Sequence, residues 1–292
     1  MRKLGEFTLD RVVESEEPLV EPQVFFPQSD PETFAEHAHW LQPRHVDPKT
    51  GKLVICVQSY VVRTPKHVIL VDACVGDDKQ RADRFPQWHM RKWGYLETLA
   101  RAGVTPEQVG FVLCTHLHID HVGWNTRLEN GRWVPTFPNA KYVFARKEAE
   151  HWEARMKGGE QGGHPQAYID SVLPVIEAKQ AVLVEGDHQI DHGVWFEPAP
   201  GHTQGNVVVN LESGGARGVL LGDVIHHPIQ LVRPDWSSRA CEDRELSHRT
   251  RRGLLERYAG TDVLLAPAHF ATPSFGRVTE ERGRFGWVDL PA

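Results

Sequence analysis

Phe111-Val112-Leu113-Cys114-Thr115-His116-Leu117-His118-Ile119-Asp120-His121-Val122-Gly123 carries the densest chemistry in the chain. The apolar run 111–114 predicts a strand covered on both faces. Three imidazoles and a carboxylate follow it within six residues, 116–121. A metal ion needs such an arrangement, with neutral nitrogens and a carboxylate held close together on stiff backbone. Side chains repeat every second residue in extended chain, so His116 and His118 are expected to point the same way. Asp120 and His121 then point elsewhere, toward a second ion. Chance alone could place such residues together in a histidine-rich chain, and the position between a strand and Gly123 argues against chance.

Three more candidates stand at the ends of apolar runs. His202 lies in Pro200-Gly201-His202-Thr203 after the run 195–197. Asp223 follows Val219-Leu220-Leu221-Gly222, and His269 lies in Ala266-Pro267-Ala268-His269 after the run 263–265. Each alone reads as a loop residue bonded to backbone; together they complete a site. Further strands are expected at 7–13, 53–62, 68–71, 142–145, 182–184 and 207–211. Helices are expected at 95–102, 146–155, 165–173 and 242–258, where apolar residues recur at helical spacing. The glycine-rich stretch 158–163 reads as a loop. Strands alternating with helices predict a layered α/β fold.

Composition narrows the function classes. The chain has 292 residues, 40% of them hydrophobic, and a net charge of -6; this balance gives nucleic acid and anionic membrane surfaces no counter-charge. No apolar run approaches the roughly 18 residues of a membrane-spanning helix. The start, MRKLGEFTLDRVVESEEP, places acidic residues where a signal peptide has its apolar core. Cys56, Cys74, Cys114 and Cys241 are widely spaced, as expected of buried thiols. A cytoplasmic protein is therefore expected, and the length allows one large domain or two small ones. Its N-terminal part, 1–52, supplies a strand and then a Pro- and aromatic-rich segment (20–43) suited to a lid or an oligomer contact.

With these residues in place, the sequence resembles the metallo-β-lactamase superfamily, whose H-x-H-x-D-H signature fits 116–121. The likeness runs from about Val54 to His269. It implies a single domain, 1–292, with a four-layer αβ/βα sandwich in which two mixed sheets pack face to face with helices outside. It also implies two divalent metal ions, zinc first, with Mn2+, Co2+ or Fe2+ as substitutes. His116, His118 and His202 would hold one ion, Asp120, His121 and His269 the other, and Asp223 would bridge them. Asp72 matches an acidic residue that supports the ligands without being one.

The chemistry implied is hydrolysis by a metal-bridging hydroxide, with Asp120 as the acid for the leaving group. No G-x-S-x-G elbow competes with it. The long lead before Val54, Trp124, and the segment Gly222-Asp223-Val224-Ile225-His226-His227 resemble the N-acyl homoserine lactonase-like and methyl parathion hydrolase-like groups. The expected substrate is accordingly a small lactone, carboxylic ester or phosphotriester, and a homodimer is the expected assembly. Lactonases of this kind usually carry tyrosine three residues after the bridging aspartate, where this chain has His226. That departure tilts the reading toward the methyl parathion hydrolase-like branch. Ile119, Trp124 and His226 are the candidate substrate contacts, with Phe25, Phe26 and Trp152 as further pocket residues. The rival reading is an iron-dependent oxidoreductase of the same superfamily, persulfide dioxygenase-like.

Overall fold

The computed structural model describes residues 1–160 and 162–291. Gln161, in the expected glycine-rich loop, lies outside the described residues. By its internal contacts the chain divides into two compact units, Met1–Glu14 with Val57–His188 and Ser15–Cys56 with Gln189–Ala292. Among the described residues no helix is long and apolar enough to cross a membrane.

The strands in chain order are β1 (Arg2–Leu4), β2 (Phe7–Val20), β3 (Leu53–Arg63), β4 (Val68–Val71), β5 (Val109–Leu113), β6 (Thr126–Glu129), β7 (Arg132–Pro135), β8 (Lys141–Ala145) and β9 (Ala181–Val184). They continue with β10 (Gln189–Asp191), β11 (Val194–Pro198), β12 (Val207–Ser213), β13 (Ala216–Gly222), β14 (Leu264–Pro267), β15 (Gly276–Glu281) and β16 (Arg284–Asp289). Two seven-stranded sheets result, in the orders β1-β2-β3-β4-β5-β8-β9 and β10-β11-β12-β13-β14-β15-β16. Both are mixed. In the first, β4, β5, β8 and β9 run parallel; in the second, only β13 and β14 do.

Each apolar run expected to be a strand is one; 68–71 keeps its expected ends and the others are shifted. The hairpins β6–β7 and β15–β16 were not expected, because their strands are short and largely polar. Their signal sits in the turns: Asn130-Gly131 and Arg282-Gly283 all have positive φ, the backbone that a two-residue hairpin requires.

In the first unit, β5 is buried between β4 and β8, as the run of apolar residues dictates. The helix expected at 165–173 is broken into Gly163–Ala167, a wider turn Tyr168–Val172, and Leu173–Glu177. Pro174 is the reason: it has no N–H to give the carbonyl of Asp170 four residues back. That carbonyl instead accepts from Thr126 Oγ1 at 2.5 Å and from buried Lys79 Nζ at 3.2 Å.

In the second unit, helix Arg244–Tyr258 begins where the Asp243 carboxylate accepts from Leu246 N–H at 2.9 Å. Its buried face, Leu254, Leu255 and Tyr258, packs with Val219, Leu221 and Leu265 of the sheet. The N-terminal segment packs within this unit too, where Phe26 and Leu41 form a cluster with Ile55, Ile229 and Trp236.

Candidate metal centre

In the first unit the site grows from the C-terminal ends of two parallel strands. β4 ends at Val71 and β5 at Leu113, and Asp72, the residue after Val71, donates its N–H to the Leu113 carbonyl at 2.8 Å. This puts the Asp72 carboxylate beside Cys114-Thr115. Its Oδ1 accepts from Thr115 N–H at 2.8 Å, and its two oxygens lie 3.1 and 3.0 Å from Thr115 Oγ1. Its Oδ2 lies 2.9 Å from His121 Nδ1. The Thr115 hydroxyl has one proton, drawn to the carboxylate, so His116 Nδ1, 3.1 Å from Thr115 Oγ1, is the donor there. The expected supporting residue thus fixes two ring orientations at once.

Close packing holds the turn that follows. Gly123 N–H donates to Cys74 O at 2.7 Å and Trp124 N–H to Ala73 O at 2.6 Å. A Cβ on Gly123 would lie 1.7 Å from Val75 O, so only glycine lets the motif approach this segment. Glu148, buried in helix Arg146–Lys157, accepts from Leu117 N–H at 3.1 Å and from Trp152 Nε1 at 2.7 Å. The rings of His116, His118 and His121 meet, with centroids 4.6 Å apart for the first pair and 4.0 Å for His116 and His121. Asp120 is partly exposed, and its Oδ1 lies 3.8 Å from His121 Nε2. Ile119 is fully buried.

Trp124 needs correction as an expected substrate contact. Its indole N–H donates to Glu14 Oε1 at 2.7 Å and its face stacks on Tyr95 at 5.2 Å; both bonds commit it to the core of its unit.

In the second unit, β13 and β14 are parallel neighbours, with Gly222 opposite Pro267. Their ends therefore deliver Asp223 and His269 side by side. β11 leads to His202 through Gly201, whose φ of +125 and closeness to the Ser247 backbone exclude any side chain. Three imidazoles surround one carboxylate. His202 Nε2 and His226 Nε2 each lie 3.2 Å from Asp223 Oδ2, and His269 Nε2 lies 3.0 Å from Oδ1. The far sides of two rings are held by protein: His269 Nδ1–H donates to Cys56 O at 2.8 Å, and His202 Nδ1 lies 3.4 Å from Cys241 Sγ. His226 is buried, lies edge-on to Phe25 at 5.5 Å, and has Ser238 Oγ 3.4 Å from Nε2. Burial holds its pKa below the usual imidazole value, against the pull of Asp223.

This donor set fits a divalent ion. Bonds of about 2.0–2.1 Å in a tetrahedral site put ligand atoms roughly 3.3 Å apart, close to the spacings around Asp223. With Nδ1 donating in His116, His121 and His269, each of these neutral rings keeps a lone pair on Nε2 for a metal. His116, His118, Asp120 and His121 of the first unit, and His202, Asp223 and His269 of the second, are the residues that could hold one.

Residues 57–273 match the family model of the metallo-beta-lactamase superfamily. The chain belongs to that superfamily. Its N-acyl homoserine lactonase relatives include one from Bacillus sp, 29% identical over 127 residues, which are 43% of this chain and 42% of the relative. The enzyme of Bacillus thuringiensis subsp. kurstaki matches with the same identity and shares. The chain thus spans less than half the length of the curated relatives it matches. Among solved structures, the superfamily hydrolase AbOPH aligns with a TM-score of 0.80 at 21% identity, covering 99% of this chain and 96% of that one. AidC, a dizinc quorum-quenching lactonase, aligns at 0.79 and 21%, covering 100% and 97%. At these identities the likeness is one of fold.

One residue at the site escaped the sequence. His164 lies flat against His118, with ring centroids 3.8 Å apart and planes 23° apart, and accepts from Ile119 N–H at Nδ1, 3.2 Å away. It sits in Gly162-Gly163-His164-Pro165, and neither strand end nor spacing ties it to 116–121.

Proposed function

We propose that the chain is a metal-dependent hydrolase of small ester-like substrates, with a lactone as the first choice. The observation that carries this reading is the Asp223 cage, a buried carboxylate ringed at 3.0–3.2 Å by three imidazole nitrogens. His116, His118 and His202 would hold one ion, Asp120, His121 and His269 the other, and Asp223 could serve either. Zinc suits the histidine-rich set, and manganese, cobalt or iron could replace it. The similarity to N-acyl homoserine lactonases supports the lactone over an aryl ester or a phosphotriester.

When bound, such a pair of ions supplies a hydroxide at neutral pH and polarises the substrate oxygen. The chain's own residues do the rest. Asp72 and Thr115 engage the Nδ1 sides of His121 and His116, and the Cys56 carbonyl that of His269, so each Nε2 lone pair would be the one offered to a metal. Asp120, partly exposed at the cluster, would take the proton lost by the attacking water and pass it to the leaving alkoxide. The Nε2 of His226 lies against Asp223, so it orients that carboxylate; this use of Nε2 replaces the direct substrate contact expected from its position.

A single screen tests the reading: the zinc-loaded protein on lactones, aryl esters and phosphotriesters, with His118→Ala and chelated protein as controls. Lactone cleavage that both controls abolish is the expected result. Full activity in His118→Ala, or iron as the only bound metal with sulfur-dependent oxygen uptake, would overturn it.

A further inference from the structure

We propose that His164 is a substrate-binding residue of this centre, its Nε2–H donating to an ester or lactone oxygen of the molecule held in front of His118. The inference rests on the hydrolase reading and extends it to a residue outside the metal-binding pattern. Three observations lead to it.

First, the tautomer is set by the fold. Ile119 N–H points at His164 Nδ1 from 3.2 Å, so that nitrogen is the acceptor and the neutral ring carries its proton on Nε2. Second, ring packing places His164. Its ring stacks on His118 at 3.8 Å and meets Phe85 at 5.4 Å and Trp152 at 5.5 Å. Trp152 is itself pinned to Glu148, the residue that holds Leu117 N–H. The same supports therefore fix His164 and the ligand loop as one piece. Third, His164 keeps part of its surface exposed while its neighbour Trp152 is buried. A neutral donor laid over a metal-binding imidazole, with its acceptor side used internally, matches a ligand with an oxygen acceptor.

The chemistry chosen follows from the donor. A neutral N–H favours a carbonyl or ring oxygen over a cationic group, and the half-buried Phe85 ring suits an apolar substituent beside that oxygen. A stack of neutral rings also leaves the metal-binding lone pairs unopposed, since no positive charge is added beside His118.

Two variants separate this role from a supporting one. His164→Phe keeps a flat ring against His118 and removes the donor; His164→Gln restores an N–H near the Nε2 position. In the zinc-loaded protein, His164→Phe should lower kcat/KM for the best lactone by roughly 10–100-fold, the effect of one lost hydrogen bond to a bound substrate. It should also weaken calorimetric binding of hexanoate or of the opened lactone acid by about tenfold. His164→Gln should recover most of both. Metal content and Tm should match the wild type in each. Wild-type values in His164→Phe, or equal losses in both variants together with lost metal, would overturn the assignment. The arms also separate the two readings: a wild-type protein that binds the acid but cleaves no ester sinks the hydrolase reading, while the binding comparison still tests His164.

Discussion

At the residue scale, Asp72 shows how one side chain can govern a site without belonging to it. Its backbone has φ of 58, a left-handed conformation that aspartate tolerates better than most residues. From there its two oxygens reach Thr115 and His121. Removing the carboxylate frees the His121 ring to rotate and leaves Nδ1–H without an acceptor in a buried place. Asp72→Ala is therefore expected to weaken metal binding by roughly 10–100-fold with little change in substrate range. Competition against a chelator dye measures it, and an unchanged affinity would remove Asp72 from the site. Glu14 is a second case. It is buried, its pKa is raised to about 7 mainly by burial, and it receives N–H groups from Val75, Gly76 and Trp124.

At the scale of elements, two glycines, Gly123 and Gly201, decide whether the ligand loops reach their places. Gly123 has no room for a methyl group because the Val75 carbonyl occupies it. Gly123→Ala must push the 116–122 loop away from the 73–76 segment, at a cost of roughly 3 kcal/mol, the upper range for forcing atoms into a packed interior. For a protein of this size that is a fall in Tm of about 6–12 °C, and metal binding should be lost with it. A calorimetric scan with metal analysis tests both; a variant with normal Tm and full metal content contradicts the packing argument. The histidine motif was legible in the sequence because metal ligands must be close, and the end of a parallel strand keeps neighbours in sequence close in space. His164 was not legible, since it reaches His118 by ring stacking over a sequence distance that no local pattern encodes.

Across the whole molecule, buried titratable groups set the pH range. His45 and His227 have pKa values lowered to about 2 and about 4, in both cases chiefly by burial. Native protein holds both neutral, while the unfolded chain protonates them near 6.5. Their contribution to stability is thus full above pH 6.5 and is lost as pH falls below it. Glu14 works in the opposite sense: its raised value makes its contribution full below the ordinary carboxylate value of 4.5 and lost as pH rises through about 7. The histidines outnumber it, so denaturant unfolding at a series of pH values should show stability falling from pH 6.5 toward 4. The fall should be steeper in Glu14→Gln, which lacks the opposing term. A flat profile from pH 7 to 5 would contradict this balance.

The family and the ligand-type cluster at 116–121 were legible in the amino-acid order, because apolar runs mark buried strands and short-range spacing survives any folding detail; the two mixed sheets followed from the family resemblance. How the side chains of the cluster are held was decided by packing. Thr115, Asp72, Cys56 and Cys241 meet the ligand rings through contacts between distant segments, Trp124 is drawn into the core by Glu14, and His226 is turned onto Asp223. Such roles depend on which side chain lies opposite which after packing, and packing is a property of the folded chain that no local pattern records.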